Sequence, residues 1–214
     1  FALLKAKEKD CKIFVADEQL RITKKDSDNF YKEMEKSFEL DQFNPFFMPI
    51  INTDTMKISG CESLVRWRKD KYRIIETSKF YDIALEKNLF DKIDIRVMEK
   101  TFQAYLSWKK LNLISEDFFI VLNLTLKTLT ELDIDDLIDI IKKYDLKPEN
   151  IEFDISLNDK LTVKEIEKFK LLKSKGFKIA YEDRNNNISL ELISEIDVDK
   201  IKLNVPDEFN EKNN

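Results

Sequence analysis

Six short segments rich in apolar residues, most of them separated by stretches with helical spacing, constrain this chain more than any other feature. They are "PFFMPIIN" (45–52), "KISGCESLVRW" (57–67), "FFIVLNLT" (118–125), "IEFDIS" (151–156), "FKIAYED" (177–183) and "DKIKLNV" (199–205). Helical patterns run over 77–87, 91–111, about 131–144, 162–175 and 189–195. Strands that alternate with helices build βαβ crossovers and a largely parallel sheet. The last four segments are nearly continuous apolar runs, as expected of strands covered on both faces. The first two are joined only by "NTDTMK", which is of hairpin length and too short for a crossover. The expected fold class is therefore α/β, a TIM-like (β/α) barrel with an antiparallel first strand.

Ahead of this alternation, "FALLKAKEKD" reads as the tail of a helix and "CKIFVAD" as a strand. "DNFYKEMEKSFEL" then spaces Phe30, Tyr31, Met34, Phe38 and Leu40 along one helical face, with Asp28 available as its N-cap. The expected organisation is a remnant of a preceding domain at 1–27, a linker helix at 28–40 and the barrel domain at 41–214.

The composition excludes several chemistries. The chain contains 0 His, so a histidine base, a Ser-His pair and a His metal site are ruled out. A general base or metal ligand must be a carboxylate, an amide, a Lys or water. Lys and Arg number 37 against 42 Asp and Glu, a net charge of -5 with no single-sign run, which argues against DNA as a partner. Cys11 and Cys61 belong to no CxxC pair, so both are expected as small buried residues of a protein in a reducing cytoplasm. No apolar run approaches the roughly 18 to 20 residues of a membrane span. The first residue is Phe1, and the chain is expected to be a cytoplasmic fragment of a longer protein, with a membrane tether through upstream parts left open. With only 2 Gly in the chain, turns that need positive φ must use Asn and Asp. The acids of "ELDIDDLIDI" are expected in the first turn of a helix, and Trp67 and Trp108 in packing.

Polar residues recur toward the C-terminal ends of the strands: Glu62, Asn123, Asp154, Glu182 with Asp183, and Lys202. In a parallel (β/α) barrel these ends converge on the face where active sites lie. Carboxylate and amide oxygens gathered there suit Mg²⁺ or Mn²⁺, and Lys202 would orient the attacking water or stabilise a phosphoryl oxygen.

From about Gln42 to Asn204 the chain resembles an EAL domain, the family of bacterial cyclic di-GMP phosphodiesterases. Glu62-Ser63-Leu64 stands in the place of the signature Glu-Ala-Leu, and "IIETSKFYDIALEKNLF" is similar to the segment that follows. "FIVLNLT" resembles the strand with the family's metal-binding Asn, "IEFDIS" the strand with its Glu, and "VDKIKLN" the strand with its catalytic Lys. "ALLKAKEKDCKIFVADEQL" is similar to the end of a GGDEF domain, the diguanylate cyclase that commonly precedes EAL. The resemblance implies metal ligands at Glu62, Asn123, Asp154, Glu182 and Asp183. It implies substrate contacts by Leu64 and by Arg66, the latter to phosphate, and catalytic roles for Glu62 and Lys202. It implies as partners cyclic di-GMP, a GGDEF domain in the same parent chain and a second copy through barrel helices. It also implies that the last two βα units of the barrel are lacking here.

The chain departs from the family at several of these places. Asp154 stands for Glu, Glu182 for Asp, Met48 for Gln, Leu157 for Glu, and Asn204 for an acid. Arg184-Asn185-Asn186-Asn187 replaces Phe-Gly-Thr-Gly. Carboxylates one methylene too short or too long misplace ligands of a cation that demands distances of about 2.0 to 2.1 Å. The expected function is a degenerate EAL module acting as a regulatory or receptor domain with weak or no hydrolysis. The alternatives are an active metal-dependent phosphodiesterase and a protein-interaction scaffold that binds no nucleotide.

Overall fold

A computed structural model describes residues 18–155, 161–183 and 190–203. The expected strand at 11–17, Cys11, Leu157, the 184–187 loop and Asn204 lie outside the described residues, as does the side chain of Asp183. The chain divides into two compact units, one of residues up to Phe43 with Arg66–Leu89, the other of Asn44–Val65 with the residues from Phe90 onward.

In the first unit, helix α1 (Glu18–Glu39) begins well before the expected start, so Asp28 lies inside the helix and is not its N-cap. Phe30, Met34 and Phe38 of the expected stripe pack inward, whereas Leu40 lies past the helix end and is exposed. Met34 is fully buried, and Phe30 and Phe38 meet the rings of Trp67 and Phe43 at 5.1 and 4.9 Å. Trp67, 0% exposed, also packs on Phe43 and Phe80. Lys69 lies 4.3 Å from the centre of the Trp67 ring and pairs with Glu33 at 2.7 Å, so one ammonium serves both a ring face and a carboxylate. The end of β2 (Lys57–Arg68) pairs antiparallel here with β3 (Ile74–Glu76), a short strand that the sequence pattern did not signal. A one-turn 3-10 helix (Thr77–Lys79) and α2 (Tyr81–Glu86) follow.

The second unit carries the parallel sheet. Its elements are β1 (Phe43–Asn52), β2, α3 (Phe90–Lys110), β4 (Phe119–Asn123), α4 (Leu126–Glu131), α5 (Ile134–Lys143), β5 (Ile151–Ile155), α6 (Val163–Ser174), β6 (Lys178–Asp183), α7 (Leu190–Ile196) and β7 (Lys200–Leu203). The strand order among the described residues is an open path, β1-β2-β4-β5-β6-β7. β1 and β2 form a hairpin whose turn is closed by Met56 N–H to the Asn52 carbonyl at 2.7 Å, the expected antiparallel start. The pairs β2–β4, β4–β5, β5–β6 and β6–β7 are all parallel.

Local chemistry explains where helices begin and end. The helical pattern expected at about 131–144 is α5, which begins where Asp133 caps it by accepting from the N–H groups of Asp135 and Asp136 at 2.9 and 3.1 Å, and α4 ahead of it was not expected. The acids of that stretch thus sit in a first turn, as expected. Thr162 and Glu165 form a capping box at the start of α6. Positive φ falls on Asp41, Asn88, Asn112, Asp145 and Asp197, with Met56 the one exception to Asn and Asp among the described non-glycine residues. Gly60 has a different reason to be glycine. A Cβ there would stand 2.6 Å from the Phe119 carbonyl oxygen, so only a bare α-carbon lets β2 approach β4. Cys61 is buried and its thiol is pushed up to about 12 by that burial. Trp108 packs on Phe47 and Phe118, as its packing reading anticipated.

The Trp67 cluster is the largest buried aromatic group of the first unit, so Trp67→Ala should destabilise the protein by about 3 to 5 kcal/mol. Urea unfolding followed by far-ultraviolet circular dichroism checks this, and a shift below about 1 kcal/mol would contradict the packing described.

Candidate functional site

The parallel register decides which side chains can meet. Asn123 lies opposite Asp154, Asp154 opposite Ala180, and Glu182 opposite Lys202. Side chains alternate between faces with period two, so Glu62, Asn123, Asp154, Glu182 and Lys202 share one face of the sheet. Asn123 Nδ2 donates to Glu62 Oε1 at 2.8 Å and to the Ser63 carbonyl at 3.3 Å. Lys202 Nζ donates to Glu62 Oε2 at 3.2 Å and, in a shorter contact, to Asp154 Oδ2. In a flat sheet β7 would stand four strand spacings from β2, roughly 19 Å, beyond the reach of a lysine. The contact therefore requires this sheet to curl around the face that carries the site. Ala180, buried between β5 and β7, leaves room for the Lys202 chain to cross β6.

Burial sets the electrostatics. Glu62 is 7% and Asp154 5% exposed. Burial raises the Asp154 pKa, against the opposing pull of Lys202, and the charges of Glu62 and Glu182 raise it further. Burial works against the charge on Lys202, but Asp154 and Glu62 together outweigh it and its pKa is raised. The group thus holds one ammonium between two carboxylates with the Asn123 amide alongside.

The donor set fits a hard divalent cation by type, since it consists of carboxylate and amide oxygens. Asp154 Oδ1 is buried without a hydrogen-bond partner, the condition of an oxygen that a cation would satisfy. Among the described residues, however, no three Cys, Asp or Glu side chains are gathered as a ready-made ligand group. Lys202 already stands between two of the expected ligands.

Of the residues expected from the sequence, Glu62, Asn123, Asp154 and Lys202 are in direct contact. Glu182 is half-buried on β6 and near enough to bear on Asp154. The backbone of Asp183 pairs with Leu203. Leu64 is half-buried two residues beyond Glu62. Arg66 belongs to the first unit, where it lies opposite Glu76. Met48, the replaced Gln position, is exposed on β1.

Three features of the site were not read from the sequence. Lys200 pairs with Glu152 at 2.6 Å and lies 4.0 Å from the Phe119 ring centre, one tier below Lys202 and Asp154. The signal was the period-two repeats Glu152/Asp154 and Lys200/Lys202. Asp94 is buried on α3, and its Oδ2 accepts from Thr125 N–H at 3.0 Å and Thr128 Oγ1 at 2.8 Å. Burial pushes its carboxyl up to about 6, against these hydrogen bonds. Thr101, on the same helix, is joined to Ser63 by their hydroxyls at 2.7 Å. The signal for both was a polar residue inside the apolar stripe of 91–111.

A family model described as the EAL domain matches residues 32–205. The chain belongs to the EAL domain family. It is similar to a protein of Synechocystis sp. called uncharacterized protein sll1895, 23% identical over 126 residues that make up 58% of this chain and 18% of that one. Among solved structures it is similar to the EAL enzyme Bd1971 in its cAMP- and cyclic-di-GMP-bound form. The TM-score there is 0.73 at 22% identity, covering 85% of this chain and 51% of that one. It is also similar to Bacillus subtilis YkuI, a protein with an EAL domain in complex with substrate c-di-GMP and calcium. That TM-score is 0.63 at 17% identity, covering 80% of this chain and 43% of that one. This EAL chain therefore spans about half or less of the length of these relatives, and what it shares with the solved structures at such identities is the fold. Among the described residues no helix is long and apolar enough to cross a membrane.

Two predictions follow from the buried charges. Lys202→Met leaves Glu62 and Asp154 without their ammonium, so its loss of stability should be larger at pH 7 than at pH 4, where Asp154 can take up a proton; urea midpoints at the two pH values measure this. Asp94 has a folded pKa of about 6 against an ordinary value of 3.8, so the folded state binds more protons between those values. Its contribution to stability falls as pH rises through that window, by at most about 1.4 kcal/mol per pH unit, and is least favourable above it. The stability of wild type minus that of Asp94→Asn should accordingly decline from pH 4 to pH 6.

Proposed function

We propose that this EAL domain is a regulatory or receptor module of cyclic di-GMP signalling, one that binds the dinucleotide and hydrolyses it weakly or not at all. The observation that carries the reading is the Lys202 ammonium bridging Glu62 and Asp154. The strand-end residues still converge, so a polar site for a phosphodiester is retained. In this reading a divalent cation would share both carboxylates with Lys202, which weighs against efficient turnover.

In this reading Glu62, Asn123, Asp154, Glu182 and Asp183 would hold a Mg²⁺ or Mn²⁺ ion, whose chemistry is to polarise the phosphoryl group and the water that attacks it. Leu64 contacts the substrate, and Lys202 holds its proton and orients a phosphoryl oxygen by a charge-assisted hydrogen bond. The shorter Asp154 and longer Glu182 relative to the family pattern further weaken the ligand geometry. A GGDEF domain in a longer parent protein, and a second copy of the chain, are the partners consistent with a regulatory role. Five oxygen ligands and Lys202, kept in type, favour as the second reading an active phosphodiesterase that yields the linear dinucleotide.

Calorimetric titration with cyclic di-GMP in Ca²⁺, followed by chromatography of the nucleotide after incubation with Mg²⁺ or Mn²⁺, separates the readings. The expected result is binding that EDTA abolishes and no linear dinucleotide above the protein-free control. Steady product formation would establish the enzyme. A folded protein that binds no nucleotide would sink both readings and leave the interaction scaffold.

A further inference from the structure

Helix α3 lies behind the strands that carry Glu62 and Asn123, and two of its buried polar groups reach those strands beside the site residues. Asp94, 6% exposed, grips the turn after β4 through Thr125 N–H and the Thr128 hydroxyl. Thr125 is two residues beyond Asn123. Thr128 returns a bond to the same turn, its N–H donating to Thr125 Oγ1 at 3.2 Å, so the turn is closed on itself and tied to the helix.

The second grip is on β2. Thr101, 0% exposed, donates its hydroxyl proton to the Val97 carbonyl at 2.8 Å. It must then accept from Ser63 Oγ across the 2.7 Å contact, since a hydroxyl has one proton to give. Ser63 is the neighbour of Glu62, and its carbonyl accepts from Asn123 Nδ2. Ser63 is thus fastened to α3 by its side chain and to Asn123 by its backbone. Asp94 and Thr101 are seven residues apart, two helical turns, and so lie on one face of α3.

We propose that α3 is the positioning frame of the site. Asp94 fixes Asn123 through the Thr125–Thr128 turn, Thr101 fixes Glu62 through Ser63, and the rigid helix between them sets the Asn123–Glu62 distance. Apolar packing alone does not explain two buried polar groups at this spacing, each bonded to a segment that adjoins a site residue. Two acceptors placed in this way orient site groups as the outer partners of metal ligands do. Asp94 and Thr101 are positioning residues. Their consequence for ligand affinity rests on the reading of the site as one for cyclic di-GMP, whereas their hold on the Asn123 amide does not.

The test uses Thr101→Val, which keeps shape and loses the hydroxyl, Thr101→Ser, which restores it, and Asp94→Ala, all on the full chain. Ser63→Ala removes the same β2 bond from the other side and stands in if Thr101→Val does not fold. Two quantities are read on variants shown by thermal melting to be folded. The first is the position of the Asn123 side-chain NH₂ signals in ¹H–¹⁵N spectra of the free protein, assigned through Asn123→Asp. The second is calorimetric affinity for cyclic di-GMP in Ca²⁺. The frame predicts that Thr101→Val and Asp94→Ala shift or broaden the Asn123 signals and weaken binding by roughly tenfold or more, while Thr101→Ser behaves as wild type. Unchanged Asn123 signals in both disrupting variants overturn the frame, whatever the affinity does. If wild type itself binds no nucleotide, the receptor reading fails, and the Asn123 signals alone still decide the frame.

Discussion

The ammonium of Lys202 is the interaction on which the inner face of the sheet depends. Two carboxylates, Glu62 and Asp154, are removed from water on that face, and leaving either charge unpaired there would cost several kcal/mol. One cation that reaches both gives each a partner, but only if β7 comes round to β2. The curl of the sheet and the pairing of its charges are therefore the same fact stated twice. Helices on the outer face supply the apolar burial, and the inner face supplies a closure condition that apolar packing could not impose.

Much of this was legible in the sequence because it follows from period and spacing. Apolar runs bounded by helical stretches fixed the parallel order, the short "NTDTMK" link fixed the hairpin, and polar residues at equivalent strand ends marked Glu62, Asn123, Asp154, Glu182 and Lys202 in advance. Turn chemistry was equally readable, since a chain with 2 glycines places left-handed residues on Asn and Asp.

What escaped the sequence reading has a common physical cause. β3 is three residues long, too short for periodicity to register. α4 is six residues long and lies ahead of the pattern read at about 131–144, again too short for an apolar period to register. Residues 18–27 are helical although their apolar spacing gave no stripe to read, so Asp28, a good cap by type, is an interior residue. The buried Asp94 and Thr101 looked like ordinary polar positions on a long helix, because their worth lies in partners more than thirty residues away.

The two tiers of charge on the inner face bear on how this site differs from an open metal centre. Below the Lys202 tier, Lys200 pairs with Glu152 and covers the Phe119 ring, so the floor of the site is itself an ion pair seated on an aromatic surface. A divalent cation entering above it must compete with Lys202 for Glu62 and Asp154, and the lower ammonium opposes it by like-charge repulsion. The second oxygen of Asp154 is buried and without a hydrogen-bond partner in this tier. An ammonium so placed favours negative charge brought toward it. The balance between an ammonium already in place and a cation drawn in with an anionic ligand is what the proposed receptor reading rests on.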